Sequence, residues 1–180
     1  MQTIQLSGGI QMQNITEKDM TQLSFTTEQA ATMTAIACNE AKGNLIALES
    51  AIENGLDAGL TINQIKEALS QLYAYTGFPR SLNALGVLQK IVESQKSKVD
   101  SIIIGKEASP LPADFDALKE GTRVQTMLTG KPFNYTFAPA TDYYLKAHLF
   151  GDIFARDILT YADRELITVS ALAGLEGVEP

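Results

Sequence analysis

Apolar residues recur at helical spacing through most of the first half of the chain. The clearest stripe follows Thr61, where Ile62, Ile65 and Leu69 lie at i, i+3 and i+7, on one face of a helix. Gln64, three residues after Thr61, completes the pattern of an N-terminal capping box. Similar stripes predict helices over 27–40, 44–57 and from Pro79 to 92. Gly77 separates the last of these from the helix that follows Thr61.

The second half of the chain is also predicted to be helical, with connecting loops at 101–113 and 131–140. The predicted helices are 114–128, one that Thr141 caps and that runs through 154, and Arg164–Leu175, which Asp163 caps. The one run of β-branched residues, Ile102–Ile104, is too short to form a sheet. The fold class predicted from the pattern is therefore all-α.

A short segment of the chain recurs 136 residues later: residues 31–37 (ATMTAIA) align with residues 167–173 (ITVSALA). Glu40 and Glu176 align at the same offset. Because a helix cannot bury its apolar stripe alone, we expect either a truncated chain or a neighbouring subunit that covers the last helix. The predicted organisation is an arm at 1–24, a first helical repeat unit at 25–100, a connector with one helix at 101–140, and the start of an incomplete second repeat unit at 141–180.

The composition is that of an ordinary globular protein, with 45% hydrophobic and 19% charged residues, which argues against disorder. The net charge of −7 comes from 21 acidic and 14 basic residues. Because the basic residues are scattered, we expect neither a nucleic acid nor an anionic membrane as partner. No stretch is long and apolar enough for a membrane span, and the first 25 residues lack a signal-peptide pattern, so a cytoplasmic location is predicted.

Cys38 is the only cysteine and His148 the only histidine. A single thiol forms no internal disulfide and fits a reducing compartment. One cysteine and one histidine, without carboxylates at matching positions, predict no metal site. The glycines form no phosphate-binding pattern either, so we expect no cofactor.

Three blocks of sequence carry a family resemblance. They are residues 55–69 (GLDAGLTINQIKEAL) running into 72–85 (LYAYTGFPRSLNAL), 148–157 (HLFGDIFARD) and 163–180 (DRELITVSALAGLEGVEP). These blocks are similar to the carboxymuconolactone decarboxylase-like family of the alkylhydroperoxidase-like superfamily. The resemblance implies a helical bundle that assembles into homo-oligomers, as trimers or hexamers. It also implies one of two chemistries: decarboxylation of a lactone carboxylic acid without a cofactor, or peroxide reduction by a Cys-x-x-Cys pair.

The redox branch of that family has a glutamate twelve residues before its first cysteine. Glu165 resembles that glutamate, so the two cysteine positions fall on Gly177 and Pro180. The corresponding positions of the first repeat unit hold Ala41 and Asn44. Dithiol chemistry needs an attacking thiolate and a resolving thiol close to it. A self-contained peroxidase is therefore not expected.

Decarboxylation without a cofactor needs a seat for a carboxylate and a group that protonates the resulting carbanion. Arg80 follows the predicted helix start at Pro79, where the helix dipole also favours an anion. Tyr73 and Phe78 flank the same turn, and with Arg80 they are the predicted substrate-binding residues. His148, the only histidine and so the natural proton donor, and Glu165 are the predicted catalytic residues.

Each of these residues also has a structural interpretation: an interface for Arg80, a core histidine for His148 and an ion pair with Arg156 or Arg164 for Glu165. The predicted function is cofactor-free chemistry on a small carboxylated lactone or enolisable acid. Two alternatives stay open. One is a redox accessory protein of the peroxidase branch that borrows a partner's thiol, and the other is a non-catalytic oligomeric binding protein.

Overall fold

The computed structural model describes residues 21–94 and 103–178. Within these ranges all regular elements are helical, which confirms the predicted all-α class. Most of the predicted arm, together with Ile102 and Pro180, lies outside them. The elements are α1 (Thr27–Lys42), α2 (Leu45–Asp57), α3 (Ile62–Thr76), α4 (Phe78–Ser94), α5 (Ala117–Thr129), α6 (Pro139–Tyr143), a π-helix (Tyr144–Ile153) and α7 (Tyr161–Leu172).

The predicted capping box at the start of α3 is confirmed. The Thr61 hydroxyl accepts from the backbone N–H of Gln64 at 3.1 Å, and the Gln64 side chain accepts from the N–H of Thr61 at 2.9 Å. The first two N–H groups of α3, those of Ile62 and Asn63, donate to the backbone carbonyls of Ile103 and Ile104 in the connector at 3.0 Å each. The first turn of α3 therefore has its N–H groups satisfied.

Two predicted helix starts in the second half are wrong. Thr160, and not Asp163, is the N-cap of α7, and Asp163 is the third residue that closes the capping box. Threonine and aspartate are both good caps, so the sequence pattern fits either start. Thr141 lies inside α6, which begins at Pro139, because proline favours the first helical position.

Helices α1 and α7 pack side by side and run in the same direction. Ser170 Oγ donates to Thr34 Oγ1 at 3.3 Å. A side-chain carbon placed on Gly174 would lie 2.8 Å from the carbonyl oxygen of Cys38. Both pairs are 136 residues apart, the offset of the predicted repeat. The two similar segments therefore pack against one another in register.

This packing covers the apolar face of the last helix. Ile167 and Ala171 of α7 are fully buried in the main core, together with Met33 and Ile36 of α1 and Leu69 of α3. The expectation that this helix needs a longer chain or a neighbouring subunit to bury its stripe is therefore wrong for that face.

A second, smaller core lies between α5 and the π-helix. Its buried residues are Val124, Leu149, Ile153, Phe154 and Tyr161. The π-helix carries His148 and continues directly from α6. Across the described ranges, none of the helices combines the length and the apolar character that crossing a membrane requires.

Candidate functional site

A cavity of about 190 Å³ lies between α3, α4 and the end of the π-helix. Tyr73 and Phe78, two of the predicted substrate-binding residues, line it together with Leu82. The lining is largely apolar, and Glu67 and Arg156 are its charged residues. Ligand sites are commonly apolar pockets with a few polar groups at set positions, so this cavity is the candidate substrate site.

His148 does not line the cavity itself but contacts Tyr73, which does. The Tyr73 ring stacks on Phe78 with ring centroids 4.2 Å apart and planes inclined by 12°. It also contacts the His148 ring, with centroids 5.6 Å apart and planes inclined by 51°. Three of the five predicted site residues are thus neighbours.

The His148 ring lies within hydrogen-bond distance of Asp152, four residues later on the π-helix. Its Nδ1 lies 2.9 Å from Asp152 Oδ2, and the two side chains are 46% and 53% exposed. When Nδ1 donates to this carboxylate, Nε2 is left as the nitrogen that exchanges a proton with a bound molecule. His148 is therefore not a core histidine, and the pair can act in general acid–base catalysis.

Glu67 and Arg164 form a buried ion pair beneath the cavity. Arg164 is fully buried and its Nη2 lies 2.9 Å from Glu67 Oε1. The Arg164 guanidinium also donates to the Gln71 side chain at 2.9 Å and to the Arg156 carbonyl at 2.8 Å. Burial lowers the pKa of Arg164, while the hydrogen bond to Glu67 acts in the opposite direction.

Arg156 is the second partner of Glu67, and it reaches the cavity. Its Nε lies 3.0 Å from each Glu67 carboxylate oxygen. Arg156 and Arg164, the predicted alternatives for an ion pair with Glu165, both pair with Glu67 in the structure. The apolar stripe gave no signal for Glu67, because at 100° per residue Glu67 lies on nearly the opposite side of α3 from Ile65 and Leu69.

Arg80 lies apart from the cavity-lining residues, beside the buried Glu40. Glu40 is 1% exposed, and its Oε1 accepts from the Thr76 hydroxyl at 2.7 Å. Its Oε2 is buried without a hydrogen-bond partner among the described residues. Burial raises the pKa of Glu40, while the Thr76 hydrogen bond and the charge of Arg80 lower it by less.

Glu165 lies neither in the cavity nor beside Glu40, but near Tyr75. Desolvation raises the pKa of Glu165 although part of the residue is exposed. Burial raises the pKa of Tyr75, and the nearby charge of Glu165 raises it further. Glu165 does not line the cavity. The structure therefore brings Tyr73, Phe78 and His148 together but leaves Arg80 and Glu165 elsewhere.

Within 21–94 and 103–178, no three His, Cys, Asp or Glu side chains are grouped in a way that would hold a metal ion. The sequence matches no protein-family model and no curated protein. The similarity to the carboxymuconolactone decarboxylase-like family accordingly remains a prediction that rests on the three sequence blocks.

Proposed function

We propose that the protein is a cofactor-free enzyme acting on a small carboxylated lactone or another enolisable acid. The cavity beside Tyr73 is the substrate site, and His148 transfers the proton. The observation that carries this proposal is the contact between Tyr73, which lines the cavity, and His148, whose Nδ1 is paired with Asp152.

The chemistry has two requirements that these groups can meet. In decarboxylation the electrons of the breaking C–C bond move into the adjoining carbonyl as carbon dioxide leaves, and the resulting enolate must gain a proton. In proton exchange the neutral His148 imidazole first takes the proton of the C–H bond, and the enolate then regains a proton. His148 supplies that proton from Nε2, while Asp152 stabilises the charged imidazole. The apolar cavity wall lowers the local dielectric constant, which strengthens interactions with the charged groups at its edge.

We also propose that the protein forms homo-oligomers, as the family resemblance implies. Large apolar side chains are exposed on three helices: Ile46 on α2, Leu82 on α4 and Val169 on α7 are 84%, 60% and 62% exposed. Light scattering of the purified protein tests this part separately. A mass equal to that of one chain of 19.5 kDa would contradict it.

The catalytic proposal is tested with chelator-treated protein and a panel of β-keto acids, lactone carboxylic acids and α-keto acids. Binding is read from the thermal midpoint and turnover from carbon dioxide release or product formation. We expect at least one acid to raise the midpoint and be turned over. In His148→Gln turnover falls by a factor on the order of 10².

Lys90→Gln is the matched control, because Lys90 is exposed on α4 and does not line the cavity. We expect this control variant to keep wild-type turnover. Equal turnover in wild type and His148→Gln would contradict the role of His148. A panel in which no acid shifts the midpoint would contradict the proposed substrate class.

A further inference from the structure

We infer that Arg156 binds the carboxylate of a ligand whose apolar body occupies the cavity. The preferred ligand is then a monocarboxylate with a compact apolar body about the size of one six-membered ring. This inference rests on the proposed function only for the cavity being the substrate site. It assigns a binding residue that the sequence reasoning did not select.

The first step is the geometry of the Arg156 guanidinium. Glu67 engages it through Nε alone, which lies 3.0 Å from both carboxylate oxygens. Within the described ranges, neither terminal nitrogen, Nη1 or Nη2, makes a hydrogen bond or ion pair. The outer edge of a guanidinium presents two parallel N–H groups that match the two oxygens of a carboxylate. Arg156 therefore keeps the edge that recognises a carboxylate. Its side chain is 46% exposed and the cavity wall is almost wholly apolar, so this edge belongs to the rim of the cavity, where a carboxylate can bind while its apolar body enters.

The second step is that Arg156 is held in place from two sides. Its side chain is paired with Glu67, which the fully buried Arg164 contacts at 2.9 Å. Its backbone carbonyl accepts from the same Arg164 at 2.8 Å. Because both attachments lead to one buried residue, little conformational entropy is lost when a ligand binds the guanidinium.

The third step is the charge of the cluster. Arg156 and Arg164 contribute two positive charges and Glu67 one negative charge, which leaves one positive charge unbalanced. A monocarboxylate neutralises it. The second carboxylate of a dicarboxylate finds no cationic partner in this cluster and stays next to the carboxylate of Glu67, which weakens its binding.

The fourth step is the size and lining of the cavity. An apolar cavity of about 150 Å³ in another protein accommodates benzene, and this one measures about 190 Å³. Phe78, Leu82, Leu85 and Ile153 supply apolar wall. One ring fits beside the carboxylate, and the ring is bound by apolar contact.

The experiment measures binding of three probes to the full chain by calorimetry: benzoate, its neutral analogue benzamide, and the dianion phthalate. We expect benzoate to bind at least about tenfold more tightly than either of the others, since a charge-assisted hydrogen bond contributes that much. In Arg156→Gln the affinity for benzoate falls by about the same factor, while that for benzamide is unchanged. Arg156→Lys keeps the charge but loses the planar edge and gives an intermediate affinity.

Arg123→Gln is the matched control, because Arg123 pairs with Glu120 on the surface of α5 and does not line the cavity. It leaves all three affinities unchanged. Benzoate binding that is equal in wild type, Arg156→Gln and Arg156→Lys would overturn the inference. Benzamide binding as tightly as benzoate, or no probe binding at all, would do the same.

This test reads binding and not turnover, so it separates the two proposals. Arg156-dependent benzoate binding in a protein that turns over no acid would contradict the proposed function and leave the anchor in place. Turnover of an acid without Arg156-dependent binding would contradict the anchor alone.

Discussion

Gly121 of α5 and Gly151 of the π-helix lie against one another at the crossing of the two helices. A side-chain carbon on Gly121 would lie 2.7 Å from the backbone nitrogen of Gly151, and one on Gly151 would overlap the backbone of the first turn of α5. Only glycine fits at either position, since real side-chain carbons do not approach backbone atoms so closely. This crossing positions the π-helix, which carries His148 and Asp152.

Replacing Gly121 with alanine should destabilise the protein by about 1–3 kcal/mol, because the added carbon forces α5 and the π-helix apart. Urea unfolding followed by circular dichroism measures the change. The control is Gly86→Ala in α4, where an added carbon meets no described atom within 4 Å. That control should raise stability by about 0.5–1 kcal/mol. A Gly121→Ala protein as stable as wild type would show that the crossing is not tight.

The buried pair of Arg164 and Glu67 gives a second prediction. Arg164→Met removes the guanidinium that Glu67 and Gln71 contact, and leaves their buried polar groups with fewer partners. Breaking a buried ion pair typically costs about 3–5 kcal/mol. The exposed pair of Arg123 with Glu120 provides a comparison, since Arg123→Met should cost less than about 1 kcal/mol. Similar losses for both variants in urea unfolding would contradict a stabilising role for the buried cluster.

Glu40 predicts a specific pH dependence of stability. Burial raises its pKa above the ordinary value of 4.5 in the folded protein. A group with a raised folded pKa stabilises fully below its unfolded pKa, and that contribution is lost as the pH rises through the folded pKa. The side chain in Glu40→Gln cannot ionise, so the stability of this variant relative to wild type should improve as the pH rises from 4 to 7. Urea unfolding across that range tests this, and a constant difference would contradict it.

Lys146 is predicted to hold the exposed loop before α6. Its ammonium donates to Asn134 and to Asp142, both at 2.8 Å. The hydrogen bond from Lys146, together with that from the backbone N–H of Tyr135, lowers the pKa of Asp142. In Lys146→Met the loop should open more often. Chymotrypsin should then cleave several-fold faster after Phe137, which is 89% exposed. An exposed residue of α5 provides the control variant, Lys119→Met, and equal cleavage rates in the two variants would contradict this role.

The sequence predicted that helices form better than it predicted which type of helix each segment adopts. The capping box predicted at Thr61 begins a real helix, and the loop predicted from residue 131 directly follows Gly130, the C-cap of α5. Capping side chains and glycine leave a local signal of this kind. The π-helix has no comparable signal. Its hydrogen bonds skip one residue further than those of an α-helix, and the apolar pattern through residues 144–153 fits either form.

Helix geometry explains which of the predicted site residues are neighbours. Tyr73 and Phe78 meet because they flank the turn at Gly77. Arg80 follows Phe78 by two residues on α4, and two steps of an α-helix rotate a side chain by about 200°, which carries it away from the cavity. The partners of Glu67 lie 89 and 97 residues along the chain. No local pattern specifies contacts at such separation.

In the proposed mechanism, His148 exchanges a proton with a carbanion formed in the cavity. The most direct measurement is deuterium uptake from D₂O at the carbon next to the carbonyl of α-ketobutyrate, followed by proton NMR with chelator-treated protein. We expect the wild type to accelerate deuterium uptake over buffer, and His148→Gln to reduce this acceleration by a factor on the order of 10². Uptake that is no faster than in buffer, or equally fast in both proteins, would contradict it.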